Sequence, residues 1–279
     1  MKEITNGSMR GIVNATAGLA KFSLTRYEPG PPLQPFIEHY WIIRFNLNYN
    51  TRHSQTVLSY PNVNLAFEHD REGRRALLYG IPRQPFVREL SEEGWVLGVK
   101  FRIGGFYPFW QKDVSLLTGT TIPASELFGS DTRLWMNSIL DAKDDVEMVR
   151  QAEIALSTVL PQPDTQAQLA ARIVQDTMND RCITKVEQIS EHTGLSIRQL
   201  QRLFRKYVGV TPKWVIKRFR LQEAAERLEQ DETAEWAELA MQLGYIDQAH
   251  FIKDFKSVLG QSPAAYKKDS DIQASSKSD

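Results

Sequence analysis

Six residues late in the chain have side chains suited to reading the edge of a base: Arg198, Gln201 and Arg202, then Gln248, Ala249 and Lys253. Arginine offers two N–H groups to O6 and N7 of guanine, glutamine pairs with N6 and N7 of adenine, and alanine rests against a thymine methyl. Lysine reaches a guanine or a phosphate. Positions 198, 201, 202 and 205 share one helical face, as residues three and four apart do. Arg205, Lys206, Lys213 and Lys256 have the reach for phosphate oxygens, contacts that position a protein on a duplex without specifying sequence.

Such side chains work only if something rigid presents them, and the sequence supplies it twice. Residues 196–212 align without a gap on residues 247–263. Ser196 and Asp247 are N-cap residues. Leu200 and Phe251 follow four on, Phe204 and Phe255 eight on, Gly209 and Gly260 thirteen on, and Pro212 and Pro263 sixteen on. With Leu200, Leu203 and Phe204 turned inward, Arg198, Gln201, Arg202 and Arg205 are left outward. With Phe251 and Phe255 inward, Gln248, Ala249, Lys253 and Lys256 are left outward. A bracing helix precedes each copy: Val186, Ile189 and Thr193 ending at Gly194, and Trp236, Leu239, Ala240 and Leu243 ending at Gly244. Helix, glycine turn and capped helix is the arrangement of a helix-turn-helix. Thr211 and Pro212 open a long helix between the copies. Its apolar residues (Trp214, Leu221, Ala225 and Leu228 on one stripe, Val215, Ile216 and Phe219 on others) require cover on several sides, as a rod between two small subdomains would have.

Charge agrees with this reading. The 279-residue chain has zero net charge, yet residues 196–220 carry Arg198, Arg202, Arg205, Lys206, Lys213, Lys217, Arg218 and Arg220 and no acid. A neutral average hides a local basic surface. The second copy is less basic and carries Asp254, so a smaller contribution is expected from it.

The first half reads as β-structure. Residues 20–27, 40–45, 63–67, 76–79 and 96–101 are dense in β-formers, with turn signals at residues 28–32, 60–62, 81–82 and 93–94. Short strands at this spacing predict a sandwich or a barrel. Residues 134–160 take helical spacing and stop at Pro161 and Pro163, which predicts a domain boundary. The organisation expected is a β-rich domain at 1–160, an all-α domain at 161–268 and a disordered tail at 269–279.

The single cysteine, Cys182, excludes an internal disulfide framework or multi-thiolate metal site and fits a reducing cytoplasm. No export signal or long apolar window is present, so a cytoplasmic protein without membrane contact is expected. His39, His53 and His69 lack the close pairing of metal-binding cupins, and neither metal nor cofactor is expected. Trp41, Trp95, Phe106, Tyr107, Phe109 and Trp110 are read as core. Glu68-His69-Asp70 is read as a polar hairpin and Lys100 and Arg102 as a solvated strand face.

The segments Leu200-Gln-Arg-Leu-Phe-Arg-Lys206, Gly209-Val-Thr-Pro212, Arg220-Leu-Gln-Glu-Ala224, Gly244-Tyr-Ile-Asp-Gln-Ala-His-Phe-Ile-Lys-Asp-Phe-Lys256 and Gly260-Gln-Ser-Pro-Ala-Ala-Tyr266 resemble the paired helix-turn-helix module of the AraC/XylS family of bacterial transcription regulators. The resemblance covers the last hundred residues or so. It implies double-stranded DNA as partner, bound as monomer or homodimer, with the six base-reading positions named above. RNA polymerase and a small-molecule effector are the further partners it suggests. For the first domain, 1–160, the resemblance implies ligand sensing, dimerisation or both, and a cupin-like barrel as in many members; residues 35–41, 62–68 and 98–106 are similar to a subgroup whose N-terminal domain has no settled function. Two other readings stay open beside a ligand-modulated regulator: a scaffold whose first domain only dimerises or recruits polymerase, and an enzyme fused to such a module. Enzymes of the latter kind need a nucleophilic cysteine outside the DNA-binding half, and Cys182 lies inside it.

Overall fold

Alternation of apolar residues along the early strands decides how the first half is layered. In the computed structural model, which describes residues 2–4, 21–48, 51–57, 60–229 and 236–268, eight strands form: β1 (Phe22–Tyr27), β2 (Ile37–Asn46), β3 (Arg52–Val57), β4 (Asn64–Asp70), β5 (Gly73–Tyr79), β6 (Phe86–Ser91), β7 (Glu93–Phe101) and β8 (Thr121–Pro123). Six make one antiparallel sheet in the order β1-β2-β7-β4-β5-β8, and β3 pairs with β6 as a separate ribbon. The first half is mainly β as expected; of the barrel and the sandwich that the strands allowed, the barrel does not form, because the sheet is open with β1 and β8 at its edges.

Tyr40, Ile42, Leu65, Phe67, Leu97 and Val99 pack on the helical side of the sheet, in one cluster with Ile139, Met148 and Ala152. On the other face Leu24, Ile43 and Phe45 meet Leu90 of the ribbon. Trp41 also lies on this face, flat over Gly98, where a Cβ would come within 1.9 Å of the indole. The expected polar hairpin at residues 68–70 does turn between β4 and β5, but Glu68 is only 3% exposed. It accepts hydrogen bonds from Arg75 Nε (2.7 Å), Arg88 (2.8 Å) and the Tyr79 hydroxyl (2.7 Å), tying the ribbon to the sheet.

Helices follow: α1 (Tyr107–Trp110), α2 (Ser125–Phe128), α3 (Thr132–Leu140), α4 (Asp145–Ser157), α5 (Thr165–Asn179), α6 (Val186–Thr193), α7 (Ile197–Leu203), α8 (Pro212–Glu229), α9 (Trp236–Gln242) and α10 (Gln248–Leu259). The helix expected over 134–160 is two, because Asp144 leaves helical geometry and its side chain caps α4 by accepting from the Glu147 N–H at 2.8 Å. The strands β3, β6 and β8 were not expected; β3 and β6 are polar, half-exposed segments without clean alternation. Residues 263–268 are helical, and the tail expected at 269–279 lies outside the described residues.

The apolar interior divides at an unexpected place. One cluster runs from Tyr27 through the sheet, α3, α4, α5 and α7 to Phe219, continuing past Pro161 and Pro163 without a break. A second, smaller cluster holds Leu221, Ala224, Leu228, Leu239, Leu243, Phe251, Phe255 and Leu259. The seam falls inside α8. The N-terminal half of the rod serves the first core and its C-terminal half the second, which is why a single apolar stripe does not describe it.

Candidate nucleic-acid interface

Each of the two capped helices, α7 and α10, is built by its own sequence. In α7 the Ser196 side chain accepts from the Gln199 N–H (3.4 Å), while Gln199 Oε1 accepts from the Ser196 N–H (2.8 Å), a reciprocal cap. Leu200, Leu203 and Phe204 are buried, and Arg198, Gln201 and Arg202 are exposed. In α10 Asp247 accepts from the His250 N–H at 2.7 Å. Phe251, Phe255 and Leu259 are buried, and Gln248, Ala249, Lys253 and Lys256 are exposed. Gly194 and Gly244, at φ of 68° and 80°, make the turns into the two helices.

The basic segment 196–220 is not one surface. Arg218 is 1% exposed and Arg220 2%. Arg218 lies 4.9 Å from the Tyr60 ring centroid, and burial lowers its pKa to about 10, so it stays charged at neutral pH. Arg220 donates to Glu223 (2.7 Å) and to the carbonyls of Thr177 and Asp180. Lys217 pairs with Asp254 at 2.6 Å. Only Arg198, Arg202 and Lys213 of the eight cations face outward with no ion pair among the described residues. Asp254 pairs with Lys217 and His250, bolting α10 to the rod and leaving Lys253 unengaged by it.

Two of the residues expected at phosphates, Arg205 and Lys206, are held by the first half of the chain. The end of α7 widens into a π-helical turn, Phe204–Val208, closed by the Gly209 N–H donating to the Phe204 carbonyl at 2.7 Å. This turn packs on residues 107–118. Arg205 donates through Nε (2.8 Å) and a terminal nitrogen (2.7 Å) to Asp113 Oδ2. Lys206 Nζ stands 5.1 Å from the Tyr107 ring centroid and 5.2 Å from that of Tyr207, and the Tyr107 phenol raises its pKa above the ordinary lysine value. The Thr118 hydroxyl donates to the Gly209 carbonyl at 2.7 Å. Gly209 has φ of 91°, and a Cβ there would stand 2.6 Å from Ile81 Cδ1 and 3.0 Å from Val114 Cγ1, so the contact demands glycine twice over. Lys213 and Lys256 stay exposed.

A cleft of about 640 Å³ opens between the β-domain and α5, lined by Phe36, Tyr60, Lys100, Asp164, Arg172 and Phe219 among others. Lys100 Nζ donates to Glu38 Oε1 at 2.8 Å, so it is paired rather than merely solvated. Among the described residues no group of three His, Cys, Asp or Glu lies together as a metal site, and no helix is long and apolar enough to cross a membrane.

Residues 189–269, which hold this pair of helices, match a helix-turn-helix domain family, and residues 25–123 match a domain of unknown function, DUF6597. The HTH-type transcriptional activator AarP of Providencia stuartii is 37% identical over 82 residues, 29% of this chain and 60% of that protein. An uncharacterised HTH-type transcriptional regulator of Haemophilus influenzae is 34% identical over 96 residues, 34% of this chain and 31% of that protein. The probable transcription factor PqrA of Proteus vulgaris is 31% identical over 83 residues, 30% of this chain and 67% of that protein. The chain belongs to the AraC/XylS family. It spans less than two thirds of the length of the first two relatives.

In this AraC/XylS chain the residues that sequence reasoning missed are those that join the halves: Asp113, Tyr107 and Thr118 against α7, and Tyr60 against α8, where its hydroxyl donates to Gln222 Oε1 at 2.7 Å. The aromatic density at residues 106–110 signals a packed contact but not its partner. Nothing in the sequence near Tyr60 marks it.

Proposed function

We propose that this chain is a sequence-specific DNA-binding transcription regulator whose α7 and α10 enter successive major grooves on one face of the duplex. The observation that carries the reading is that both helices are capped, braced and buried on one side, while Arg198, Gln201 and Arg202, and Gln248, Ala249 and Lys253, stand on the other side uncommitted. Arg198 and Arg202 serve as bidentate guanine readers, Gln201 and Gln248 as adenine readers, Ala249 as a thymine contact and Lys253 as a guanine or phosphate contact. Lys213 and Lys256 hold the backbone, joined by Arg205 and Lys206 when these leave the β-domain. The rod α8, 18 residues and so about 27 Å long, supports a separation near the ~34 Å of one DNA turn.

The first half modulates binding through its grip on α7. Asp113 and Tyr107 engage the two cations whose release adds phosphate contacts, and a small molecule in the cleft between the β-domain and α5 would bear on both halves at once. The names of the relatives, an activator and a probable transcription factor, support the regulatory role.

Selection of binding sites from random duplexes by the full chain, followed by gel shifts over a salt series, tests the reading. The expected result is enrichment of a bipartite site, with log K falling against log salt by about 0.9 per phosphate contact. Arg202→Ala should relax preference at one base position at a cost of ~1 to 3 kcal/mol. No enrichment, or salt-independent binding, overturns it. For the cleft, a thermal-shift screen of metabolites on the full chain should find a ligand that stabilises by ~2.7 kcal/mol at a hundred times its dissociation constant; ligands that leave melting unchanged through a broad screen count against an effector there.

A further inference from the structure

The turns into the two reading helices differ by one residue. Gly194 is followed by Leu195 and then the cap Ser196, whereas Gly244 is followed by Tyr245, Ile246 and then the cap Asp247. In the first turn Leu195, just before the cap, packs against the cluster that holds Leu200. That is the ordinary fate of an apolar residue in this place, stapled to the fourth residue of the helix. In the second turn Tyr245 takes over the inward position, its ring 5.5 Å from Phe251 and 5.3 Å from His250. The additional residue, Ile246, is 92% exposed, the most open of the large apolar side chains among the described residues.

Its place gives the exposure a use. Ile246 stands at the mouth of α10, next to the cap and two and three residues before Gln248 and Ala249. A helix-turn-helix presents the N-terminal end of its second helix to base edges. The one apolar group that a base pair displays in the major groove is the C5 methyl of thymine. A β-branched side chain is held in few rotamers and gives up little freedom on contact.

From these positions we infer that Ile246 is a specificity-determining residue of the second half-site, reading a thymine methyl that none of the six base-reading positions covers. The inference rests on the DNA-binding reading above. It makes the second helix, weaker in charge, a reader by shape and apolar contact through Ile246 and Ala249, where the first reads by hydrogen bonds through arginine.

Methyl-deletion scanning tests it with the full chain. Each thymine of the selected second half-site is replaced singly by deoxyuridine, which keeps every hydrogen-bonding group and lacks only the methyl. Wild type should lose about fourfold in affinity at one thymine, the worth of one buried methyl. Ile246→Ser should bind the thymine and deoxyuridine duplexes equally at that position, while Ala249→Gly leaves that thymine's effect in place. The melting temperature of Ile246→Ser should match wild type, since the side chain is almost fully exposed. A thymine profile unchanged in Ile246→Ser overturns the inference and leaves DNA binding standing, as does a loss of affinity equal at every position. Failure of the wild type to select any site overturns the DNA-binding reading and this inference with it.

Discussion

The two helix-turn-helix units share their caps, their core phenylalanines and their closing glycines, and they live in different surroundings. The first has grown into the β-domain: Phe204, Tyr207 and Val208 belong to the same apolar cluster as the sheet. The second keeps a small core of its own and presents fewer hydrogen-bonding groups. A shared sequence pattern therefore fixes the local shape of each unit but not what each is coupled to. The unit with the stronger proposed base readers is the one that packs on the β-domain, so on the proposed reading modulation and recognition converge on α7.

The strongest way to break this comparison is to remove one core ring from each unit. Phe204→Ala and Phe255→Ala should each cost ~3 to 5 kcal/mol. Hydrogen exchange should show Phe255→Ala opening α9 and α10 alone, and Phe204→Ala opening α7 together with residues 107–118. Equal and separate effects would mean that the first unit folds independently of the β-domain.

The paired glycines sharpen it. Gly209 and Gly260 both have positive φ, 91° and 84°, but a Cβ at Gly260 would find only Pro85 Cγ at 3.9 Å. Gly260→Ala should cost ~1 to 2 kcal/mol from backbone strain alone, and Gly209→Ala ~3 kcal/mol or more because Ile81 and Val114 must also yield. Denaturant titration gives the difference, which is a measure of the docking contact.

Acid should act on the two units unequally. Burial first, and then Lys100, lower the His39 pKa from the usual 6.5 to about 4, with Glu38 the acid beside it at 3.7 Å. The unfolded chain takes up that proton as pH falls through about 6.5 while the folded chain takes it up only near 4, so folding loses stability between these values and keeps it above them. The loss, on the order of 3 kcal/mol, should appear in the β-domain and α7 and be absent from α10. His39→Asn should remove it.

The smallest expected effect is the most telling for regulation. Asp113→Asn frees Arg205, and the salt slope of DNA binding should steepen by about 0.9, with a severalfold gain in affinity at low salt. Lys253→Ala, in the unit without such a tether, should only weaken binding.

Much of this was legible in the sequence, and unevenly so. The caps Ser196 and Asp247, the inward Leu200, Phe204, Phe251 and Phe255 and the rod from Pro212 follow from local rules that operate within a few residues. Charge did not translate so simply. Arg218, Arg220, Lys217, Arg205 and Lys206 read as one basic face, yet their partners are Tyr60, Glu223, Asp254, Asp113 and Tyr107, four of which come from elsewhere in the chain with no pattern to link them. The sheet shows the same limit. Polar β3 and β6 carry no periodic signal, and whether a set of strands closes into a barrel depends on edge pairing that no single strand encodes.

The central claim is that two unlike helices read two successive grooves, and a hydroxyl-radical footprint of the full chain on its selected site, repeated with Arg202→Ala and Lys253→Ala, tests it most directly. The account predicts two protected patches on one face of the duplex about ten base pairs apart, one weakened by each substitution. A single patch, or two that fade together with either variant, would contradict it.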